Sequence, residues 1–238
     1  MKTAVILAAG LGKRMGGNSP KVLAELNGRT LISHLMHSVE VFFQRIIVVV
    51  GFKGELVKEE VLSEFPNVEF TEQKEQLGTG HAVMMALPML TENSEVYILN
   101  GDTPLLKRKS LEELGETHKN MNSDLTVGLL RLDDPMGYGR ALVNNGLLER
   151  IVEERDADEN IRSVCLVNGG VYLLDVPDLK DGLSSIGNDN AQKEYYLTDI
   201  VSVLNGKGKR VAAHVFPDNW QLMGVNTPEQ LKELEKYV

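Results

Sequence analysis

Along the first 105 residues, short apolar runs alternate with segments whose apolar residues recur at helical spacing. A short apolar run that ends in glycine or polar residues is typical of a strand, and apolar residues three or four positions apart are typical of a helix. The patterns predict strands at 4–9, 45–51, 68–71 and 95–99, and helices at 31–43, 55–65 and 81–90. Strands and helices that alternate in this way form parallel sheets. We therefore expect an α/β fold whose sheet is open, mostly parallel and Rossmann-like, with flanking helices.

From residue 106 onwards, strand patterns dominate. A helix at 111–121 precedes expected strands at 125–130, 139–143, 148–153, 164–174 and 210–215, and a further helix is expected at 195–204. Thr227, Pro228 and Gln230 are typical N-cap, N1 and N3 residues of a final helix. Some of these strands should be antiparallel, giving a mixed sheet and a small β-rich, substrate-facing lobe. We expect one domain over 1–238, with halves at about 1–105 and 106–226.

Composition limits the classes of partner. The chain has 238 residues, of which 42% are hydrophobic, so it can bury a full core. Its net charge of −9 and its lack of a long basic run disfavour nucleic acid and an anionic membrane surface as partners. No apolar run approaches the ~20 residues of a membrane span. Cys165, the single cysteine, lies within an apolar run and is expected to be buried, and a cytoplasmic location is expected.

A glycine-rich, cationic loop follows the first expected strand. Residues 10–21 contain four glycines together with Arg14 and Lys21. Glycines let backbone N–H groups face a ligand, and the cations add positive charge, so the loop is suited to phosphate. It matches neither the P-loop nor the dinucleotide fingerprint, in which Met15 would have to be glycine. The alternative is a flexible loop whose charges are solvated.

Two further loops follow expected strands and should reach the same edge of the sheet, since parallel strands carry their ligands at their carboxyl ends. Asp102 could hold a hard divalent cation with Asn226 as a second oxygen ligand, and substrate phosphates and water would complete a magnesium site. The alternative is an ordinary turn aspartate. In the segment 76–80, Gln76 could read a base, while Thr79 could equally stand near a helix N-cap.

No pattern supports a covalent mechanism. The five histidines form no ligand-spaced set, and no serine lies in a nucleophile elbow. His81 is expected to be structural.

Several motifs, taken together and in order, resemble the sugar-nucleotide pyrophosphorylases. The opening motif alone is that of the superfamily, and the complete set closely resembles the uridyltransferase domain of bifunctional N-acetylglucosamine-1-phosphate uridyltransferases. The resemblance covers almost the whole chain. The motifs are at 7–15, 20–23, 75–82, 101–105, 133–140, 151–153, 190–200 and 224–226.

The resemblance implies uridylyl transfer from UTP to N-acetylglucosamine 1-phosphate with Mg²⁺, by a nucleotide-binding half at 1–105 and a sugar-binding half at 106–226. It implies that Arg14 and Lys21 are catalytic and bind phosphates, and that Asp102 and Asn226 bind the magnesium ion. The residues implied to bind the nucleotide are Leu7, Ala8, Ala9, Gly10, Gln73, Gln76, Gly78, Thr79 and Gly101. The residues implied to bind the amino sugar are Gly139, Glu153, Asn168, Tyr195 and Thr198.

The chain departs from the family at three points. Asn100 stands where the family often has an aromatic residue, and Gly169 stands where it usually has threonine. No hexapeptide repeat occurs before Val238, so no β-helix domain is expected within this chain, which would be either a stand-alone enzyme or a part of a longer one.

Other functions remain open. The nearest is a pyrophosphorylase for another pair, such as glucose 1-phosphate with UTP or dTTP. A nucleotide-sugar-binding regulatory module without turnover is another, and an NAD-binding oxidoreductase is disfavoured by the missing third fingerprint glycine. The sequence gives no oligomeric state.

Overall fold

The computed structural model describes residues 1–10, 12 and 19–238 of the chain. The strands are β1 (Lys2–Ala8), β2 (Glu25–Leu26), β3 (Arg29–Thr30), β4 (Arg45–Val50), β5 (Glu69–Glu72), β6 (Glu95–Asn100), β7 (Leu125–Arg131), β8 (Arg140–Asn144), β9 (Leu147–Val152), β10 (Leu166–Asp175) and β11 (Val211–Val215). The helices are α1 (Leu31–Val39), α2 (Gly54–Glu64), α3 (Thr79–Ala86), α4 (Arg108–Asn120), α5 (Glu159–Arg162), α6 (Val176–Leu183), α7 (Asp199–Gly206) and α8 (Pro228–Leu234).

Within the described residues, nine strands form one mixed sheet in the order β5-β4-β1-β6-β10-β7-β11-β9-β8. The first four strands of this order are parallel to one another. Strand β10 runs antiparallel to both β6 and β7, and β11 is parallel to β7. The prediction of an α/β fold with a mixed sheet is confirmed.

The connections that follow β1 and β6 run in opposite directions across the sheet. The chain goes from β1 to β4 on one side, and β6 then pairs with the other edge of β1. Where neighbouring parallel strands connect in opposite directions, a crevice opens at their carboxyl ends, and ligands bind there in open α/β sheets. This crevice lies beside Leu7 and Asn100, which face each other in the β1–β6 register.

The core has one layer on each face of the sheet, because side chains alternate along each strand. In β1, Ala4 and Ile6 pack on one face with the apolar sides of α1, α2 and α4, whereas Val5 packs on the other face with α3, α6 and α7. Strand β4 is buried on both faces, as its unbroken β-branched run predicts. None of the helices in the described part of the chain combines the length and the apolar character that crossing a bilayer requires.

Local signals explain several boundaries. The Thr227 side chain accepts a hydrogen bond from the backbone N–H of Gln230 in a complete capping box, which confirms the predicted start of α8. Strands β2 and β3, which were not predicted, are joined at Asn27 and Gly28, both with positive φ as a two-residue hairpin requires. Helix α6 also escaped prediction, because it follows β10 without a loop.

Two expectations are wrong. Helix α7 begins at Asp199 and not at Tyr195, because tertiary hydrogen bonds hold the preceding residues in an irregular conformation. Cys165 lies just before β10, not within it, and is half-exposed, not buried. The prediction was wrong because it relied on the apolar residues next to Cys165 in the sequence.

Candidate active site

A cavity of about 740 Å³ lies at the carboxyl ends of β1 and β6 and extends along β10 toward β9. Loops from both halves of the chain form its walls. The wall contains predicted nucleotide, phosphate, metal and sugar residues together: Leu7, Ala9, Gly10, Lys21, Gln73, Gln76, Gly78, Thr79, Asp102, Gly139, Glu153, Asn168 and Asn226.

Four other predicted residues lie behind the wall. Ala8 is buried in β1 opposite Val50, and the Gly101 N–H donates to the Leu7 carbonyl at 2.9 Å. Tyr195 and Thr198 support the wall through hydrogen bonds described below. Arg14, predicted to bind phosphate, lies outside the described residues.

Three residues from distant parts of the chain meet on one side of the cavity. The Lys21 ammonium donates to Asp102 Oδ2 and, at 2.9 Å, to Asn226 Oδ1. Asp102 follows β6 by two residues and is 8% exposed. The Val225 N–H donates to the Asp102 carbonyl at 3.1 Å, which fixes the segment carrying Asn226 against it. The ammonium therefore lies between the two oxygens that the sequence suggested for a metal.

This donor set can be compared with the requirements of Mg²⁺. One carboxylate and one amide oxygen are hard ligands, and a single cation, the Lys21 ammonium, already reaches both. The described residues contain no group of three or more acidic, histidine or cysteine side chains that could hold a metal ion by themselves. Magnesium commonly takes only one or two carboxylates and completes its shell with phosphates and water. The residues present are compatible with that kind of ion.

The loop before α3 is held by its own side chains. Gln73, which is 3% exposed, donates from Nε2 to the Gly78 carbonyl at 2.9 Å and contacts His81 Nδ1 at 3.1 Å. Gln76 donates weakly to the Gln73 carbonyl at 3.3 Å. Gly78 has a φ of +106°, and a Cβ there would lie 2.6 Å from the Tyr195 carbonyl oxygen, so glycine is required. These contacts fix the shape of the cavity wall at this loop.

The opposite wall brings the predicted sugar residues together. The Asn168 N–H donates to the Gly139 carbonyl at 2.8 Å, and its side chain donates to the Tyr172 hydroxyl at 2.8 Å. The Thr198 hydroxyl donates to Glu153 Oε1 at 2.9 Å. An amide and a carboxylate are thus held in fixed positions on this wall of the cavity.

Electrostatics at Glu153 are dominated by burial, which raises the pKa of its carboxyl group above the ordinary value of 4.5. The Thr198 hydrogen bond acts in the opposite sense, and the nearby carboxylates of Asp199, Asp156 and Glu194 raise the pKa further. A carboxylate in this environment gains from hydrogen bonds that a ligand hydroxyl donates.

Sequence reasoning missed several residues of the cavity wall, Arg155 and Asn100 among them. Arg155 makes no ion pair or hydrogen bond with the described residues, and it is a second cation of the cavity wall in addition to Lys21. Its position just after β9, two residues beyond Glu153, was the available signal. Asn100 was noted only as a departure, yet its side chain lies against Gly170 so closely that a Cβ there would overlap its amide nitrogen.

The second departure also has a packing reason. A Cβ on Gly169 would lie 2.5 Å from Leu222 Cδ1 and 2.9 Å from the Gly128 carbonyl oxygen. Leu222 therefore occupies the room that a side chain at position 169 would need. Asn100, Gly169, Gly170 and Leu222 all line the cavity, so both departures change the same wall.

An α/β sheet with this cavity at the ends of β1 and β6, carrying a lysine, a carboxylate and an amide at one point, is the arrangement of a nucleotide-binding enzyme. The model of the MobA-like NTP transferase domain matches residues 4–165. The chain belongs to this family and is a nucleotidyltransferase.

Curated relatives match almost the whole of this chain, but this chain matches only part of each relative. The chain is 44% identical over 98% of its length to the bifunctional protein GlmU of Thermoanaerobacter pseudethanolicus, and 42% identical over 98% to that of Alkaliphilus oremlandii. It covers 50% of each of these relatives, so it spans about half the length of the curated relatives that it matches.

Solved structures share the fold. HddC from Yersinia pseudotuberculosis, crystallised in complex with GMP-PN, superposes with a TM-score of 0.73 at 24% identity, with all of both chains covered. The inositol-1-phosphate CTP transferase from T. maritima superposes with a TM-score of 0.71 at 18% identity, covering 99% of this chain and 96% of that one. At these identities the likeness is one of fold.

Proposed function

We propose that this nucleotidyltransferase transfers a uridylyl group from UTP to N-acetylglucosamine 1-phosphate, giving UDP-N-acetylglucosamine and pyrophosphate. The observation that carries the proposal is the shared cavity, with Lys21, Asp102 and Asn226 on one wall and Glu153 and Asn168 on the other. The identity of 40–44% to the bifunctional GlmU proteins supports these substrates. The Rossmann-like nucleotide-binding half at 1–105, the sugar-binding half at 106–226 and the cytoplasmic location belong to this proposal.

In the proposed reaction, a phosphate oxygen of the sugar phosphate forms a bond to the α-phosphorus of UTP. The bond from that phosphorus to the bridging oxygen breaks, and its electron pair leaves with pyrophosphate. The attacking oxygen is already anionic, so the reaction needs no general base and no covalent intermediate. The task of the protein is then to position two anions and to neutralise their charge.

Each wall has a part in that task. Lys21 neutralises the phosphates, with Arg14 predicted to assist. Gln76 and Gly78 face the base, and Glu153 and Asn168 accept and donate hydrogen bonds to the sugar. Asp102 and Asn226 would hold Mg²⁺, which when bound supplies charge neutralisation for the phosphoryl oxygens.

A second candidate is supported by the altered wall. Because the departures at Asn100 and Gly169 change the wall next to Asn168, a different sugar such as glucose 1-phosphate, with UTP or dTTP, is the alternative.

The test is a panel of sugar 1-phosphates against UTP, dTTP, CTP and GTP, with pyrophosphate release as the readout and Mg²⁺ either supplied or chelated. We expect the largest kcat/KM for N-acetylglucosamine 1-phosphate with UTP. A larger value for another pair would establish the alternative pair. Binding of UDP-N-acetylglucosamine without pyrophosphate release from any pair would indicate a regulatory module and refute the proposed reaction.

A further inference from the structure

The two walls of the cavity are joined to each other directly by hydrogen bonds between residues 77–80, on the nucleotide side, and residues 195–198, on the sugar side. We call these contacts the wall junction. The Tyr195 N–H donates to the Leu77 carbonyl at 2.7 Å, and the Gly80 N–H donates to the Tyr195 carbonyl at 2.8 Å. The segments are separated by more than a hundred residues of chain, so only tertiary contacts connect them.

One side chain belongs to both the junction and the cavity. Thr79 Oγ1 accepts a hydrogen bond at 3.1 Å from the backbone N–H of Leu197, and Thr79 also lines the cavity. Leu197 is 3% exposed, so its N–H has little access to water if Thr79 is removed. A buried donor that loses its acceptor carries the full desolvation cost.

The junction leads directly to the sugar wall. The residue after Leu197 is Thr198, whose hydroxyl donates to Glu153 Oε1 at 2.9 Å, and Glu153 lines the cavity. Thr198 is also 3% exposed, and Leu197 packs in the core that α3 and α7 share. Thr79 is therefore linked to Glu153 by two hydrogen bonds and the peptide bond between Leu197 and Thr198.

We propose that Thr79 is a positioning residue that couples nucleotide binding to sugar phosphate binding by holding the Thr198–Glu153 pair in place. The inference rests on the proposed function. A nucleotide that contacts residues 76–79 fixes the junction and thereby prepares Glu153 for the sugar. Since binding linkage is reciprocal, the sugar phosphate strengthens nucleotide binding by the same factor.

The test uses an isosteric pair of variants. Thr79→Val keeps the shape of the side chain and removes the acceptor, whereas Thr79→Ser keeps the acceptor. Thr117→Val is the matched control, because the Thr117 hydroxyl also makes a tertiary hydrogen bond, to His214 Nδ1 at 2.7 Å, on α4 and outside the cavity wall. Initial rates of pyrophosphate release are measured with both substrates varied, and melting temperatures are recorded for all proteins.

We expect saturating UTP to lower the KM for the sugar phosphate in the wild-type enzyme. In Thr79→Val, the ratio of the KM for the sugar phosphate at low UTP to the KM at saturating UTP should fall toward one. The KM for the sugar phosphate at saturating UTP should rise about five- to fiftyfold, given the cost of an unsatisfied buried donor. Thr79→Ser should restore both quantities, and Thr117→Val should leave them unchanged even if it lowers the melting temperature.

Two results would overturn the inference while leaving the proposed function intact. One is wild-type coupling in Thr79→Val. The other is loss of coupling in Thr79→Ser equal to that in Thr79→Val, which would assign the effect to packing of the methyl group. If the wild-type enzyme shows no turnover with any sugar phosphate, the proposed function fails and not the junction alone.

Discussion

Replacing Lys21 by methionine removes the charge at the centre of the site with little change in side-chain volume. The ammonium makes two polar contacts, with Asp102 and Asn226, and the Lys21 side chain is 21% exposed. Loss of one preorganised electrostatic contact to a reacting group commonly lowers kcat about 10²–10³-fold. We expect a loss in this range for Lys21→Met, measured as pyrophosphate release at saturating substrates.

The same substitution should have the opposite effect on metal binding. The ammonium and a metal ion would compete for the same two oxygens, and two unit charges about 4 Å apart repel each other by ~1 kcal/mol in water and ~4 kcal/mol near a protein surface. Because Lys21 is partly exposed, the lower value applies, doubled because Mn²⁺ carries two charges, and ~2 kcal/mol corresponds to about thirtyfold tighter Mn²⁺ binding without nucleotide. Calorimetry or electron paramagnetic resonance can measure it.

Lys193→Met is the matched control, since that lysine is 73% exposed and, among the residues that the structure describes, pairs only with the fully exposed Asp189. It should change neither quantity. A Lys21→Met enzyme that keeps a near-wild-type kcat would refute the catalytic role of Lys21. Unchanged Mn²⁺ affinity would refute the competition between the ammonium and the metal.

Three further predictions follow from neighbouring contacts. Burial raises the pKa of Glu153, so its charged form destabilises the native protein. In thermal melts across pH, the stability of the wild type relative to Glu153→Gln should fall as the pH rises through that pKa, and the two proteins should be equally stable well below pH 4.5. The Glu153→Gln variant should also lose affinity for the sugar phosphate. Gly170→Ala should lower the free energy of unfolding by about 2–4 kcal/mol in urea titrations, because the φ of +74° disfavours a side chain and the added Cβ would overlap Asn100. Adding Asn100→Ala should recover the part of this loss that comes from the overlap. Strictly additive effects of the two substitutions would contradict the contact. Arg155→Ala should raise the KM for the sugar phosphate about five- to tenfold, whereas Arg150→Ala, at an exposed position on β9, should not; equal effects would remove Arg155 from the site.

Most of the sheet could be predicted from the sequence because its strands have recognisable local patterns. The buried run of β4 and the apolar runs of β1 and β6 need no tertiary information, and the Thr227 capping box marks the start of α8. Helix α7 was extended too far because residues 195–198 are held by the loop before α3, and no periodicity within the segment records that contact.

The candidate site was predictable in its residue types more than in its contacts. Loops after β1 and β6 were expected at one edge of the sheet, and Lys21 and Asp102 do lie there. That the Lys21 ammonium bonds both Asp102 and Asn226 could not be read from positions 81 and 205 residues apart. The close approach of Asn100 to Gly170 was hidden for the same reason, because the pairing of β10 with β6 joins distant parts of the chain.

The separation between Lys21 and Asn226 has a consequence for folding. Joining these residues closes a loop that contains almost the whole chain, and such closure is favourable only after the intervening elements have condensed. A molecule can therefore have its parallel strands and their helices without having a complete site. After dilution from denaturant, regained catalytic activity reports only the fully assembled molecules. Circular dichroism also detects molecules in which the segment carrying Asn226 has not yet packed against Lys21.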